Sequence, residues 1–300
     1  MISIKNVSKY YDKFKAIDNI NIDVPKGTIH GLIGENGAGK TTLIRHLVGA
    51  YQGDTGFVEL EGMRIYENPE AKAKLVYIPD EFFDTFGHNI RDIKELYQGI
   101  YPSFNEARYL RLMKMFKHDS LENFSKFSKG MKKQVMFILA LAIMPEYLIM
   151  DEPFDGLDPH IRKVIWDILI QDVSERNMTI FISSHHLNEL DSMCDHIALI
   201  NNGKIVFEEA LDHLKEGYHK LQIVLECGDD MYALEKELKV LSHQMMGRVH
   251  TLIVAGEIEA INRTVEKYCP LINETLSLSL EEIFLFTLGG EYDELKEVMG

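Results

Sequence analysis

Cysteine is scarce: Cys194, Cys227 and Cys269 are the only three in 300 residues. They fall at no metal-ligand spacing and make no disulfide framework, which fits a reducing compartment. No apolar run approaches the roughly 18 residues needed to cross a bilayer. The start, Met1-Ile2-Ser3-Ile4-Lys5, lacks the basic and apolar regions of a secretory leader. The expectation is a cytoplasmic protein that meets a membrane only through a partner. Net positive charge is missing as well. At −15 the chain lacks the basic footprint of a general nucleic-acid or anionic-membrane binder, although Lys126, Lys129, Lys132 and Lys133 form a local basic patch. Neither an internal repeat nor a low-complexity linker breaks the chain. The 12 histidines are scattered and read as surface or satisfied core residues. What is present is an ordinary hydrophobic fraction of 46%, enough to bury a core in one large domain, or in one plus a small one.

The chain is organised around Gly34-Glu35-Asn36-Gly37-Ala38-Gly39-Lys40-Thr41, which matches the phosphate-binding pattern GxxxxGK[ST]. Glycines let the backbone wrap a phosphate chain, and the amides of the loop and of the helix after it point at the anion. Asn36, Gly37, Ala38, Gly39, Lys40, Thr41 and Thr42 are the expected nucleotide contacts. Lys40 would reach the β- and γ-phosphates, and the Thr41 hydroxyl would ligate Mg²⁺. Thr28 to Ile33 reads as the buried strand feeding the loop. Thr42 to Val48 reads as the helix leaving it, stopped by Gly49.

Upstream, Ile2 to Val7 and Ala16 to Val24 alternate like strands, with Tyr10 and Tyr11 between them. An aromatic side chain there either stacks on a nucleotide base or simply packs. Downstream come short strands at 56–60 and 74–78, then a helical insert over about 89–144. Its helices are expected at 90–101, 105–115 and 129–144, with Ser103 capping the second. Tyr147-Leu148-Ile149-Met150 fits a strand buried on both faces of a parallel sheet. It ends in two carboxylates. Asp151 stands where a Walker B aspartate holds Mg²⁺, and Glu152 could act as general base toward water. Helix 160–175 and strand 178–183 lead to Ser184-His185-His186. Residues 218 to 300 form a small accessory domain, in which the order β-α-β-β-α-β suggests a ferredoxin-like α+β module. No His, Cys or carboxylate cluster at ligand spacing marks it, so packing or dimerisation is its expected role.

Between the P-loop and Asp151-Glu152, Phe127-Ser128-Lys129-Gly130-Met131 resembles the LSGGQ signature of ABC-type ATPases. Gly156-Leu157-Asp158-Pro159 is similar to their D-loop, and His185 to their switch histidine. The resemblance covers residues 1 to about 215, and the motifs stand in the family's order. It implies a P-loop NTPase core with an antiparallel β-subdomain and an inserted helical subdomain, in residues 1–217. It places Tyr11 at the adenine-stacking position and makes Glu152 and His185 the catalytic pair. ATP and Mg²⁺ are the implied ligands, and ATP hydrolysis the activity. Two chains would dimerise head to tail, as a homodimer or with a related ATP-binding subunit. Each nucleotide would lie between the P-loop of one and Ser128, Lys129 and Gly130 of the other, with Asp158 linking the sites. The tail Leu276-Ser277-Leu278-Ser279-Leu280-Glu281-Glu282-Ile283-Phe284 is similar to the end of exporter subunits whose membrane part is a separate permease chain. That places the chain at the inner face of the cell membrane, with no nucleic-acid partner. The alternatives are a soluble ABC-type ATPase acting on ribosomes or chromosomes, and a P-loop kinase or switch GTPase. One cassette without heptads argues against the first alternative. A signature plus a switch histidine argues against the second.

Two positions depart from the family pattern. Asp80 follows Tyr77-Ile78-Pro79 where the family usually has glutamine. It is either an Mg²⁺ ligand alongside Thr41 and Asp151 or a solvated turn residue. Lys129 replaces the first signature glycine, and Met131 replaces its glutamine.

Overall fold

Alternating burial creates the first strands. In β1 (Ile2–Tyr11) and β2 (Phe14–Val24) isoleucines and valines point to one face, and the two pair antiparallel with Ile4 opposite Ile22 and Tyr11 opposite Phe14. Tyr10 and Tyr11 therefore belong to the end of β1 rather than to a connection. The structure, a computed structural model, describes residues 1–81, 89–119, 121, 123–191, 193–226 and 230–287. Cys227 lies outside the described residues; Cys194 is buried and Cys269 exposed, both as free thiols.

After β2 come β3 (Ile29–Ile33), α1 (Lys40–Leu47), β4 (Thr55–Leu60), β5 (Met63–Arg64), α2 (Pro69–Lys72) and β6 (Leu75–Ile78). The helical insert follows with α3 (Ile90–Ile100), α4 (Glu106–Phe116) and α5 (Lys129–Ala142). Next are β7 (Tyr147–Asp151), α6 (Pro159–Arg176), β8 (Thr179–Ser184), α7 (Leu187–Leu190), β9 (His196–Asn201) and β10 (Lys204–Ala210). The remainder is α8 (Leu211–Glu216), β11 (Tyr218–Val224), α9 (Asp230–Glu237), β12 (Lys239–Met246), β13 (Val249–Ala255), α10 (Ile258–Glu266), β14 (Ile272–Leu276) and α11 (Leu280–Thr287).

The chain divides into two compact units. The first contains residues 1–186 and 193–208, the second 187–192 and 209 onward. In the first, β2-β1-β4-β5 form one sheet and β10-β9-β3-β8-β7-β6 another. β3 runs parallel to β8 and β9, and β7 parallel to β6 and β8. All five residues of β3 and all five of β7 are buried, as a sheet covered on both faces requires. α1 presents Leu43, Ile44 and Leu47 to a core shared by Ile4, Ile17 and Ile20 of the antiparallel sheet and Ile149 and Phe181 of the parallel one. The P-loop helix is thus gripped by both sheets.

In the insert, Asn105 rather than Ser103 caps α4: its side chain accepts from the Arg108 amide, and its own amide donates to the Ala142 carbonyl at 2.6 Å. Arg108 then pairs with the buried Asp172 of α6 at 2.5 Å, tying the insert to the core. Lys133, expected in a surface patch, is buried.

The second unit has the sheet β12-β13-β11-β14, antiparallel throughout. With β11 to β14 as first to fourth, this is the order 4-1-3-2 read from one edge, the split βαβ arrangement expected from the element order. Leu234 and Leu238 of the α9 segment and Ile261 and Val265 of α10 cover one face with Leu221, Ile223 and Leu252. Although no ligand spacing marks it in the sequence, this unit gathers ionisable groups: the His243 ring pairs with Glu235 and, through Nε2, meets His250 Nδ1 at 2.9 Å. The register of β12 against β13, not sequence spacing, brings them together.

Candidate functional site

The buried strand β3 ends at Gly34, and the chain turns through Gly37 and Gly39 into α1. Gly39 has φ +111°, and a Cβ on it would lie 2.8 Å from the Ala16 carbonyl oxygen, so glycine alone fits there. The helix begins at Lys40, two residues earlier than its periodicity suggests. No side chain caps it, and its first turn holds no acidic residue. Its first-turn amides and its dipole therefore face the loop without a built-in anion, an arrangement that suits a phosphate.

Three strand ends converge on this turn. Lys40 is almost fully buried; its ammonium donates to the Gly34 carbonyl at 2.5 Å and the Glu35 carbonyl at 2.9 Å. It stands 3.1 Å from Glu152 Oε1, an ion pair lying off the hydrogen-bond line. The other Glu152 oxygen, Oε2, meets His185 Nδ1 at 2.8 Å and accepts from the His185 amide at 3.3 Å. Glu152 adopts φ +43°, a left-handed conformation uncommon for a side-chain-bearing residue, and its amide donates to Ser183 Oγ at 3.1 Å. Asp151 sits beneath. The Ser183 hydroxyl donates to its Oδ1 at 2.6 Å, and Thr41 also hydrogen-bonds it. Burial pushes the Asp151 carboxyl above the usual carboxylate range, against the pull of those two hydroxyls.

A groove of about 260 Å³ opens over these groups, lined by Tyr11, Phe14, the P-loop and first helical turn, Asp80 and Glu152. Of the expected nucleotide contacts, Tyr11, Asn36, Gly37, Gly39, Lys40, Thr41 and Thr42 line it. Ala38 is instead buried in the core. Phe14, opposite Tyr11 in the β1–β2 register, was not singled out by sequence; its position just past a turn gives little signal until the pairing is known.

Ser128, Lys129, Gly130 and Asp158 do not line that groove. Ser128 caps α5, its hydroxyl accepting from the Met131 amide at 3.2 Å. A Cβ on Gly130 would come within 2.5 Å of the Gly156 carbonyl oxygen, so the signature turn and the D-loop touch through backbone. Asp158 caps α6 through the amides of His160 and Ile161. Asp80 bridges the two regions. Its Oδ1 lies 3.3 Å from Lys129 Nζ and 3.2 Å from Lys133 Nζ. Lys133 also donates to the Glu152 carbonyl, and burial lowers its ammonium pKa while Asp80 opposes that shift. This role for Lys133 is invisible to sequence reading, because its partners lie just past the ends of β6 and β7. Asp155, His185 and His186 also lie close together, next to the Glu152 pair.

The family model described as ABC transporter matches residues 17–155. The chain is 30% identical to the bacitracin transport ATP-binding protein BcrA of Bacillus licheniformis, over 97% of this chain and 98% of that one. It is 30% identical to the Nod factor export ATP-binding protein I of Cupriavidus metallidurans, over 84% and 85%. A solved ATP-binding subunit of an ABC transporter superposes with TM-score 0.66 at 28% identity, covering 72% of this chain and 92% of that one. These relatives do not favour the ribosomal or chromosomal alternative. Among the described residues no helix is long and apolar enough to cross a membrane. A P-loop cradle, paired carboxylates at the end of β7 and end-to-end similarity to transport ATP-binding proteins agree: the chain belongs to the ABC transporter ATP-binding proteins and is an ATPase of that family.

Proposed function

We propose that the chain binds Mg²⁺·ATP in the groove beneath Tyr11, hydrolyses it with Glu152 as general base, and drives a separate membrane permease. The observation that carries this is the chain of contacts Lys40–Glu152–His185, with Asp151 and Thr41 directly behind it. Lys40 holds the β- and γ-phosphates, and phosphate entering the loop competes with Glu152 for its ammonium. Glu152, so released, accepts a proton from water. His185 donates toward the γ-phosphate. Tyr11, with Phe14 beside it, stacks on adenine. Asn36 to Thr42 supply loop and helix amides.

The donor set suits Mg²⁺. Thr41, Asp151 and Asp80 offer only hard oxygens, and a buried carboxylate with raised pKa is one that a cation stabilises. When bound, the ion neutralises charge on the phosphates. Ser128, Lys129 and Gly130, at the start of α5, meet the nucleotide of a second copy or of a related subunit, and Asp158 sits at that seam. The protein works at the inner face of the membrane. Export is the proposed direction, from the tail at 276–284 and from the printed role of the Cupriavidus relative. Residues 1–217 form the ATP-binding domain, with the helical subdomain at about 89–144. Residues 218–300 are its packing or dimerisation accessory.

Glu152→Gln should keep ATP binding and lower turnover by ~10²–10⁴-fold, the usual effect of losing a general base. It should also trap an ATP-bound dimer visible by size exclusion. Lys40→Ala should lose nucleotide binding. Unchanged hydrolysis in Glu152→Gln removes the base assignment, and normal binding in Lys40→Ala removes the P-loop assignment.

A further inference from the structure

Asp80 faces two sets of cations at once. On one side it lines the groove with Lys40, Thr41 and Glu152, and its charge helps to raise Asp151. On the other it is the counter-ion of α5, two of whose three lysines, Lys129 and Lys133, converge on its Oδ1. The first turn of α5 contains no acidic residue, although a helix N-terminus favours one. Lys129, Lys132 and Lys133 make that end more positive still. Its negative partners come from other segments, Asp80 and Asp155.

The two lysines are held differently. Lys133 is 2% exposed at the side chain and also bonds the Glu152 carbonyl, so it is part of the framework. Lys129 is 49% exposed, its stem lies against Gly156, and Asp155 is 3.8 Å away. An ion pair this exposed is weak and exchanges readily. Lys129 is also the one of the two that stands beside Ser128 and Gly130.

We propose that Asp80 is a shared counter-ion coupling two nucleotide sites. Mg²⁺ arriving with nucleotide in the groove draws the Asp80 carboxylate, and Lys129, released, turns to the γ-phosphate held by the second copy. The inference rests on the reading above, in which the signature of one copy meets the nucleotide of another. Electrostatics supplies the logic. Mg²⁺ prefers carboxylate oxygen, and its charge repels the exposed ammonium from the same oxygen. A phosphate then replaces the carboxylate at a helix end that lacks any anion of its own. A filled site thereby readies the chain to complete its partner's site.

The test is the acetylation rate of Lys129 by N-hydroxysuccinimidyl acetate, read by mass spectrometry on the full chain. The probe is Mg²⁺·ADP, which loads the groove without a γ-phosphate. Calorimetry on the same samples measures binding. Lys129 should react about threefold faster with Mg²⁺·ADP, the size of effect an exposed ion pair supports. ADP with chelator should not raise the rate. Asp80→Asn should already react at the faster rate and gain nothing from Mg²⁺·ADP. Lys133 should stay slow in every sample. If Mg²⁺·ADP binds but the Lys129 rate is unchanged, or rises as much in Asp80→Asn, the shared counter-ion is wrong. A rise with ADP alone is equally fatal, since the metal is then not the trigger. If calorimetry shows no nucleotide binding, the ATP groove itself is wrong, a distinct failure read in the same titration.

Discussion

At the scale of single residues, His30 carries a cost the site does not explain. It is wholly buried on β3 between the rings of Phe181 and His196, and neither ring nitrogen has a hydrogen-bond partner. Glu208 Oε1 is 3.9 Å from Nε2. Burial, and then the neighbouring His196, push its pKa down to about 3. An unfolded histidine titrates near 6.5, so between those values the unfolded chain binds a proton that the folded chain refuses. Stability therefore falls as pH drops through that window, by up to about 1.4 kcal/mol per pH unit, and is unaffected by this group above it. His30→Phe keeps the stack and removes the titration, so urea unfolding from about pH 7.5 to 5 should show a flatter acid slope. The same slope in both proteins would mean that another group is responsible. Sequence could not single out His30: a histidine in an apolar strand looks like a satisfied core residue until its neighbours are known. Lys133 was hidden for the same reason, whereas Lys40 and Thr41 were legible because their chemistry is local to one loop.

Elements were legible where periodicity decides them and less so at their ends. Most of the expected strands and helices fall within one or two residues of the positions that apolar spacing implies, but β1 runs four residues past Val7 to Tyr11. Their starts depend on side chains that compete for the first amides. For α3 and α4 that competition is won by asparagine: Asn89 caps α3 in a reciprocal box with Asp92, and Asn105 caps α4. Ser103 lies too far upstream, because the Asn105 amide is already committed to Ala142. Asn105→Ala should cost about 1 kcal/mol, or ~2–4 °C in melting temperature for a chain of this size. Calorimetry should show ATP affinity unchanged, since Asn105 lies outside the groove. An unaltered melting temperature would show that the cap contributes nothing.

At the scale of the whole molecule, the chain passes between its two units three times, because residues 187–192 belong to the second unit although they directly follow His186. Leu190 of α7 is fully buried, and α7 packs on α11; the Leu280 amide of α11 also donates to Asp191 Oδ2 at 3.3 Å. No composition shift in this short segment reveals that membership. A chain ending at Gly217 should still bind ATP with affinity like that of the full chain, but Leu187 and Leu190 lose α11 and should make it prone to aggregate. Size exclusion and ATP titration check the two halves separately; loss of ATP binding would show that the first unit does not fold alone. The same connectivity bears on how such genes diverge. A single genetic crossover near codon 209 would give the chain a new α11 while α7 kept the surface matched to the old one. Exchange of the accessory unit between paralogues requires two linked segments to move together, so inheritance should preserve this unit as a pair rather than as an interchangeable tail.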